Sequence, residues 1–307
     1  MIIIDALFSP EFLNAALRAT TPILFAALAS AIASKSGITN MALEGIMLFS
    51  ALFGVLFSAM FQSGWMGLLV TMSLGGFIGF LLAFFVLKLK TNEILAAIAI
   101  NLIANGATVL ILLAVSGDRG VSSSVASVPL PKIAMPFIEN VPYIGAVISN
   151  QNILTYISLL MVVVVHIFLY KTPLGLRIRA VGENKNAAES VGISSIKVQY
   201  IALILSGVFA SMGGFFLSGG YMTNFTTGMS AGRGFIALAA STMGGNTAIG
   251  AFLVSLLFGA ASALSNILQL GNWPYELIQM IPYVTTIIGL GIYSHRRMRK
   301  REKLSEK

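Results

Sequence analysis

The chain has no cysteine, only two histidines among 307 residues, and only 10% charged residues. Without cysteine there is no disulfide, no thiolate ligand for an iron–sulfur cluster and no thiol nucleophile. Two histidines far apart in sequence leave little material for a catalytic dyad. No H-E-x-x-H run or cluster of His and Asp supports a metalloenzyme, so no catalytic residue, metal or cofactor is expected. The chain also lacks any G-x-x-x-x-G-K-[ST] run, which excludes ATP binding through a Walker A loop. No apolar segment carries the row of arginines that a voltage sensor needs. The opening residues MIIIDALFSPEFLN contain no Lys or Arg, so the basic start of a cleavable signal peptide is missing.

What fills the chain instead is apolar. Hydrophobic residues make up 57% and the mean hydropathy is +0.89, against roughly 45–50% apolar and about 25% charged in soluble domains. A soluble fold could not hide that much apolar surface, whereas a bilayer needs about 20 apolar residues per helical span. The expectation is an all-α polytopic membrane protein with about eight to ten transmembrane helices, one domain over residues 1–307. Candidate spans lie at about 14–34, 41–61, 65–87, 92–116, 151–170, 198–218, 233–244, 248–270 and 277–294. The seventh is too short to cross comfortably. It reads as a broken or re-entrant helix, which survives in a membrane only when buried in protein or lining a wet cavity.

Charge placement orients these spans. Fifteen of the 19 Lys and Arg fall on one face: Lys35, Lys88, Lys90, five in residues 171–197 and seven in the tail after residue 294. Arg18, Arg119, Lys132 and Arg233 remain on the other. The positive-inside rule then puts the N-terminus outside, residues 117–150 in an external loop, and residues 171–197 and the basic tail 295–307 in the cytoplasm of a cell-membrane protein. The net charge of +8 is thereby read as topogenic and lipid-anchoring, and no nucleic-acid partner is expected.

Spans one to four and six to nine would start from opposite faces, as an inverted repeat requires. The halves are placed at about 14–116 and 198–294, with 151–170 as a linking span. An offset of 183 aligns Gly67 with Gly250, Leu74 with Leu257, Gly76 with Gly259 and Glu93 with Glu276. A further pairing, Glu44-Gly45 with Arg233-Gly234, needs an insertion.

Polar side chains within spans seldom point at lipid. Glu93, Ala97, Asn101 and Asn105 recur every fourth residue and share one helix face. The amides either serve a hydroxylated solute in transit or act as interhelical glue worth about 0.6 kcal/mol each. Glu93, near the cytoplasmic interface, reads as structural or gating. Asn40 can cap the second span and Glu44 can pair near its start. The segment GGYMTNFTTGMSAGRG, with Asn224, reads as a loose external gate, a receptor contact or a plain flexible loop. Asn40, Glu44, Glu93, Asn101, Asn105 and Asn224 are thus the candidate pathway residues. Gly207, Ser211, Gly214 and Ser218 form a small-residue stripe suited to close helix packing. His166 reads as a hydrogen-bonded core residue.

The 27-residue polar stretch KTPLGLRIRAVGENKNAAESVGISSIK interrupts this apolar body. Pro173 ends the fifth span and Gly175 permits a turn. Asn186-Ala-Ala-Glu189 has capping-box spacing, Gly192 suits a left-handed helix end, and Ser194 or Ser195 can cap the next span. A helix of about two turns is marginal alone. Either a partner's groove stabilises it, or it is a linker helix lying on the membrane surface.

At these residues the chain resembles a known family. RAVGENKNAAESVGIS resembles the coupling segment of ABC-transporter permeases of the branched-chain amino acid/simple-sugar group. SGITNMALEGIM, KTNEILAAIAINLIAN and GRGFIALAASTMGGNTAIGA are similar to other segments of that group, and the resemblance spans roughly residues 15–293. Thr-Asn-Glu-Ile-Leu and Gly-Glu-Asn-Lys-Asn-Ala-Ala are most similar to its nucleoside-importer branch. The resemblance implies the fold of a type II-like ABC importer permease. It also implies a coupling helix formed by Gly182, Glu183, Asn184, Ala187, Ala188 and Gly192, seated in a separate ABC ATPase subunit. A second homologous permease chain, as a heterodimer, and an extracytoplasmic substrate-binding lipoprotein delivering nucleoside are the other implied partners. Ribose or another simple sugar is the alternative cargo. An ion-coupled secondary transporter would share repeats and midplane polar groups, but Glu44 and Glu93 are expected nearer an interface.

Overall fold

The computed structural model describes residues 9–118, 120–134, 143–269 and 274–305. Arg119, the side chain of Glu276 and the side chains of the tail from residue 296 lie outside the described residues. Eight helices are long and apolar enough to cross a membrane. They are α1 (Pro10–Lys35), α2 (Leu43–Met60), α3 (Gly64–Ala83), α4 (Glu93–Ser116), α6 (Ile153–Lys171), α9 (Ser195–Phe216), α11 (Ala248–Leu268) and α13 (Ile281–Ser305). Wider turns extend α3 over Phe84–Lys88 and α9 over Leu217–Tyr221. Five shorter helices lie among the described residues: α5 (Ile144–Ile148), α7 (Pro173–Glu183), α8 (Lys185–Ser190), α10 (Arg233–Met243) and α12 (Tyr275–Gln279). Strands β1 (Lys132–Ile133) and β2 (Gln151–Asn152) pair antiparallel in the outer loop.

Local chemistry fixes many of these boundaries. Ser9 Oγ accepts from Phe12 N at 3.2 Å and Pro10 fills the first turn of α1, where its missing N–H costs nothing. Asn92 Oδ1 accepts from Ile94 N at the start of α4, Asn152 Oδ1 from Leu154 N at α6, and Thr247 Oγ1 from Gly250 N at α11. The expected short seventh span is α10, 11 residues long. It is about 16 Å of helix, half a bilayer crossing.

Helices α1 and α9 are the most buried spans and form the centre. Helix α3 packs chiefly on α9, and α11 packs chiefly on α1. The small-residue stripe of α9 makes close contacts possible: a Cβ at Gly207 would overlap the Gly75 carbonyl oxygen of α3, and one at Gly214 would overlap that of Met47 on α2. Gly76 faces Val208 of α9, while Gly259 abuts Thr20 of α1. Gly67 abuts the Gly54 carbonyl of α2, while Gly250 abuts Gly244 at the end of α10. The glycines at these four positions thus each lie at a close helix contact. Helix α4 is anchored on α2 by one buried stripe, Ala97, Asn101, Ala104, Thr108 and Leu112, and α13 is the least buried span.

The segment after α9 is not loose. Phe225 is fully buried, its N–H donates to Ser122 Oγ at 2.8 Å, and its carbonyl accepts from Ser122 N at 2.9 Å. Thr227 N donates to the Gly120 carbonyl at 2.8 Å, so the loop after α4 straps this segment down. His166 stacks on Tyr170 at 4.9 Å between ring centroids. Its Nδ1 has no hydrogen-bond partner, contrary to the bonded core histidine expected.

Because the α3–α9 contact leaves no space for a methyl group, Gly207→Ala should reduce the yield of monodisperse detergent-solubilised protein several-fold. Gly106→Ala, with nothing within 4 Å of its Cβ position, should match wild type. Size-exclusion profiles of the isolated chain check both, and equal behaviour of the two variants would refute the packing argument.

Candidate functional site

Residues 36–42 do not turn directly from α1 into α2. Gln199 Nε2 donates to the Ser36 carbonyl at 3.0 Å, and Asn40 Nδ2 donates to Ser206 Oγ at 2.9 Å. Seven residues separate those two anchors on α9, so the chain climbs about 10 Å into the bundle before α2 begins. Asn40 Oδ1 accepts from Ala42 N at 3.0 Å, steering the chain into the helix. Asn101 from α4 then clamps it: Oδ1 accepts from Gly45 N at 2.8 Å and Nδ2 donates to the Met41 carbonyl at 3.0 Å. Glu93 accepts from Thr39 N at 3.2 Å.

Helix α10 starts against this same point. Glu44 Oε1 accepts from Gly232 N at 2.8 Å and Oε2 from Gly234 N at 2.7 Å, so one buried carboxylate satisfies two free donors of α10. The positive helix end favours the anion. Glu44 itself sits in the first turn of α2, so the starts of α2 and α10 face each other across it. Gly234 allows the approach, since a Cβ there would lie 2.5 Å from Glu44 N.

A helical hairpin covers the other end of α1. Thr172 Oγ1 accepts from Gly175 N at 3.1 Å and Pro173 opens α7. Gly175 is therefore helical rather than a turn residue, and it is glycine because a Cβ would overlap the Phe168 carbonyl. The cap of α8 is Asn184, not Asn186: Asn184 Oδ1 accepts from Ala187 N at 3.0 Å, while Glu189 instead accepts from the Ser195 hydroxyl. Ser194 takes the N-cap position of α9 without a side-chain bond. Gly192 adopts φ +82°, the left-handed end expected of it. Ile178, Val181 and Ala188 are buried against the bundle, and Gly182 abuts the Lys35 carbonyl at the end of α1. Glu183, Asn184, Lys185, Asn186 and Ala187 are exposed in one run.

On the opposite side, α10, α11, α12 and α13 enclose a half-open polar cavity of about 160 Å³, with Arg233, Tyr283, Asn266, Gln269 and Gln279 in its wall. Arg233 Nη1 donates to the Met229 and Ser230 carbonyls at 2.9 and 3.3 Å.

Residues 12–290 match the family described as branched-chain amino acid transport system / permease component. The chain belongs to this permease family. It is 33% identical over 282 residues to the guanosine ABC transporter permease NupQ of Bacillus subtilis, covering 88% of this chain and 87% of NupQ. It is 32% identical over 285 residues to the nucleoside ABC transporter permease NupC of Lactococcus lactis, covering 89% of each. The glucose ABC transporter permease TsgB13 of Haloferax volcanii is 27% identical over 270 residues, 84% of this chain and 70% of TsgB13. Bacillus subtilis and Lactococcus lactis each hold a second such relative, at 26% and 27% identity. No solved structure gives a significant match.

In this permease the candidate pathway residues separate into two sets. Asn40, Glu44, Glu93 and Asn101 come together, and their side-chain hydrogen bonds hold residues 39–45 and the start of α10; Glu93 uses one of its two oxygens. Glu44 thus lies within the bundle rather than merely pairing near its own helix start. Asn105 is exposed on α4 with Nδ2 bonded to the Asn101 carbonyl at 2.9 Å, and Asn224 lies apart in the strapped outer segment. The cavity residues were not legible as a group, because Arg233, Asn266 and Gln279 sit on three separate elements. The one available signal was a set of amides near the outer ends of apolar spans.

Removing an acceptor from two buried N–H groups should be costly. Glu44→Gln keeps one carbonyl but aims an amide at a donor, and should destabilise the permease by about 2–4 kcal/mol. Asn105→Ala should change stability by less than about 0.5 kcal/mol. Fluorescence-detected thermal stability of the purified chain reads both, and an unchanged Glu44→Gln melting temperature would remove the double cap from the account.

Proposed function

We propose that this chain is the membrane subunit of an ATP-driven importer that carries nucleosides inward after an extracytoplasmic binding lipoprotein delivers them. The observation that carries the reading is membership of the permease family together with the nucleoside-transporter relatives that match nearly its whole length. The α7–α8 hairpin supports the ATP-driven part. It is fixed to α1 through Gly182 and to α9 through the Glu189–Ser195 bond, yet presents Glu183 to Ala187 outward. A separate ABC ATPase seated on Gly182–Gly192 would act on the two central helices directly. The sequence has no Walker A run of its own, so the energy enters through that contact.

The basic ends of α1, α3 and α6 lie with this hairpin, which is the cytoplasmic face by charge bias. The N-terminus then lies outside and the tail inside. The exchanged packing of α3 on α9 and α11 on α1 supports two inverted repeats, 14–116 and 198–294, joined by α6. A second homologous permease chain completes the pathway as a heterodimer. Paired relatives in Bacillus subtilis and Lactococcus lactis support that pairing. Ion coupling has little to work with, since Glu44 is committed to two amides. Glucose remains the second cargo because two relatives are named for it, one of them 32% identical over 258 residues.

Cells producing the whole transporter should accumulate radiolabelled guanosine in an ATP-dependent manner, and excess glucose should not compete. Glucose uptake in place of guanosine uptake would overturn the cargo assignment. Ala187→Trp should cut uptake at least about tenfold by weakening ATPase seating by more than about 1.4 kcal/mol, with the chain still in the membrane. Wild-type uptake and ATPase co-purification by that variant would sink the coupling role.

A further inference from the structure

We propose that the outer cavity holding Arg233 and Tyr283 is the subsite that reads the base of an incoming purine nucleoside. The inference rests on the nucleoside-importer reading and adds to it a base class and the residues that select it. At about 160 Å³ the cavity is smaller than the roughly 300–1,000 Å³ that encloses a drug-sized ligand. It accepts one ring system, with the ribose left towards the open side.

Its wall has hydrogen-bonding capacity in reserve. The Ser262 and Ser265 hydroxyls donate to the Phe258 and Ile278 carbonyls at 2.9 and 2.7 Å and are satisfied. Among the described residues, the carboxamides of Asn266, Gln269 and Gln279 make no hydrogen bond within the chain. Three unpartnered amides beside a guanidinium are conspicuous in a body otherwise fit for lipid. The two carbonyls that accept from Nη1 of Arg233 fix the orientation of the guanidinium and leave its other N–H groups unspent. A guanidinium presents paired donors that match the O6/N7 acceptor pair of guanine, and a carboxamide matches the N6/N7 edge of adenine.

The aromatic wall is held still. Tyr283 donates its hydroxyl to the Ala231 carbonyl at 2.7 Å and its ring lies against Gly232. A fixed ring offers a flat surface on which a base stacks. A hexose has neither a π-face for that ring nor a rigid acceptor pair for the guanidinium.

The test is equilibrium binding of radiolabelled guanosine to the assembled transporter in lipid nanodiscs without the binding lipoprotein, where the permease alone presents a site. Guanosine should bind, guanine and adenosine should displace it, and ribose should not. Tyr283→Leu and Gln279→Ala should each weaken binding about tenfold, while Tyr283→Phe, which keeps the ring, should lose less. Gln279 is exposed, so Gln279→Ala carries the test if Tyr283→Leu does not assemble. Displacement by ribose as efficient as by guanosine, no guanosine binding at all, or wild-type affinity in both Tyr283→Leu and Gln279→Ala overturns the subsite. Guanosine uptake by wild-type cells, measured separately, shows whether the nucleoside reading survives that failure.

Discussion

One buried carboxylate holds the two halves of this permease in register. A helix start inside a membrane leaves free N–H groups with no water to satisfy them. Two such starts, α2 and α10, meet within the bundle, and Glu44 supplies acceptors for α10 from within the first turn of α2. The arrangement also explains why the charge is tolerated. Its oxygens take hydrogen bonds from two amides at a positive helix end, and a guanidinium lies within reach. Remove the carboxylate and two N–H groups at the start of α10 would be left without an acceptor.

That knot is connected to the α7–α8 hairpin by a short chain of specific contacts. Helix α8 is bonded to the start of α9 through Glu189 and Ser195. Helix α9 holds Ser36 through Gln199 and Asn40 through Ser206, and residues 39–45 lead to Glu44 and α10. The links are hydrogen bonds from α8 and α9 together with the short connection that leads from α1 into α2. Contiguity supplies a route and not a coupling energy, which is why the hairpin substitution and the Glu44 substitution report on different properties.

Much of the architecture was legible because a bilayer imposes simple arithmetic on apolar runs. The spans, the short seventh helix, the small-residue stripe of α9 and the left-handed Gly192 follow from length, periodicity and backbone chemistry. The family could be read from short polar stretches for the same reason: in an apolar chain, polar residues are few and placed. The depth of Glu44 was not legible, because its partners lie 188 and 190 residues away in sequence. Capping by Asn184 rather than Asn186 depended on where α7 stops, which tertiary contact at Gly182 decides. The outer segment looked loose because its strap, Ser122, belongs to a different loop. In each case the missing information was a long-range partner rather than a local preference.

The exposed faces argue for what surrounds the molecule. Helix α4 is held by a single stripe, and most of its surface is Leu, Ile and Val suited to lipid. Asn105 breaks that pattern. Its amide nitrogen is bonded to the Asn101 carbonyl, but its oxygen is left without a partner beside Gly106, where nothing approaches within 4 Å. An unsatisfied carboxamide oxygen in hydrocarbon is expensive, and lipid offers no donor to relieve it. Water or another protein chain relieves it at once. Asn105 and Gly106 therefore mark the side of α4 that faces water or another protein chain, and lipid is left to the leucine-rich side.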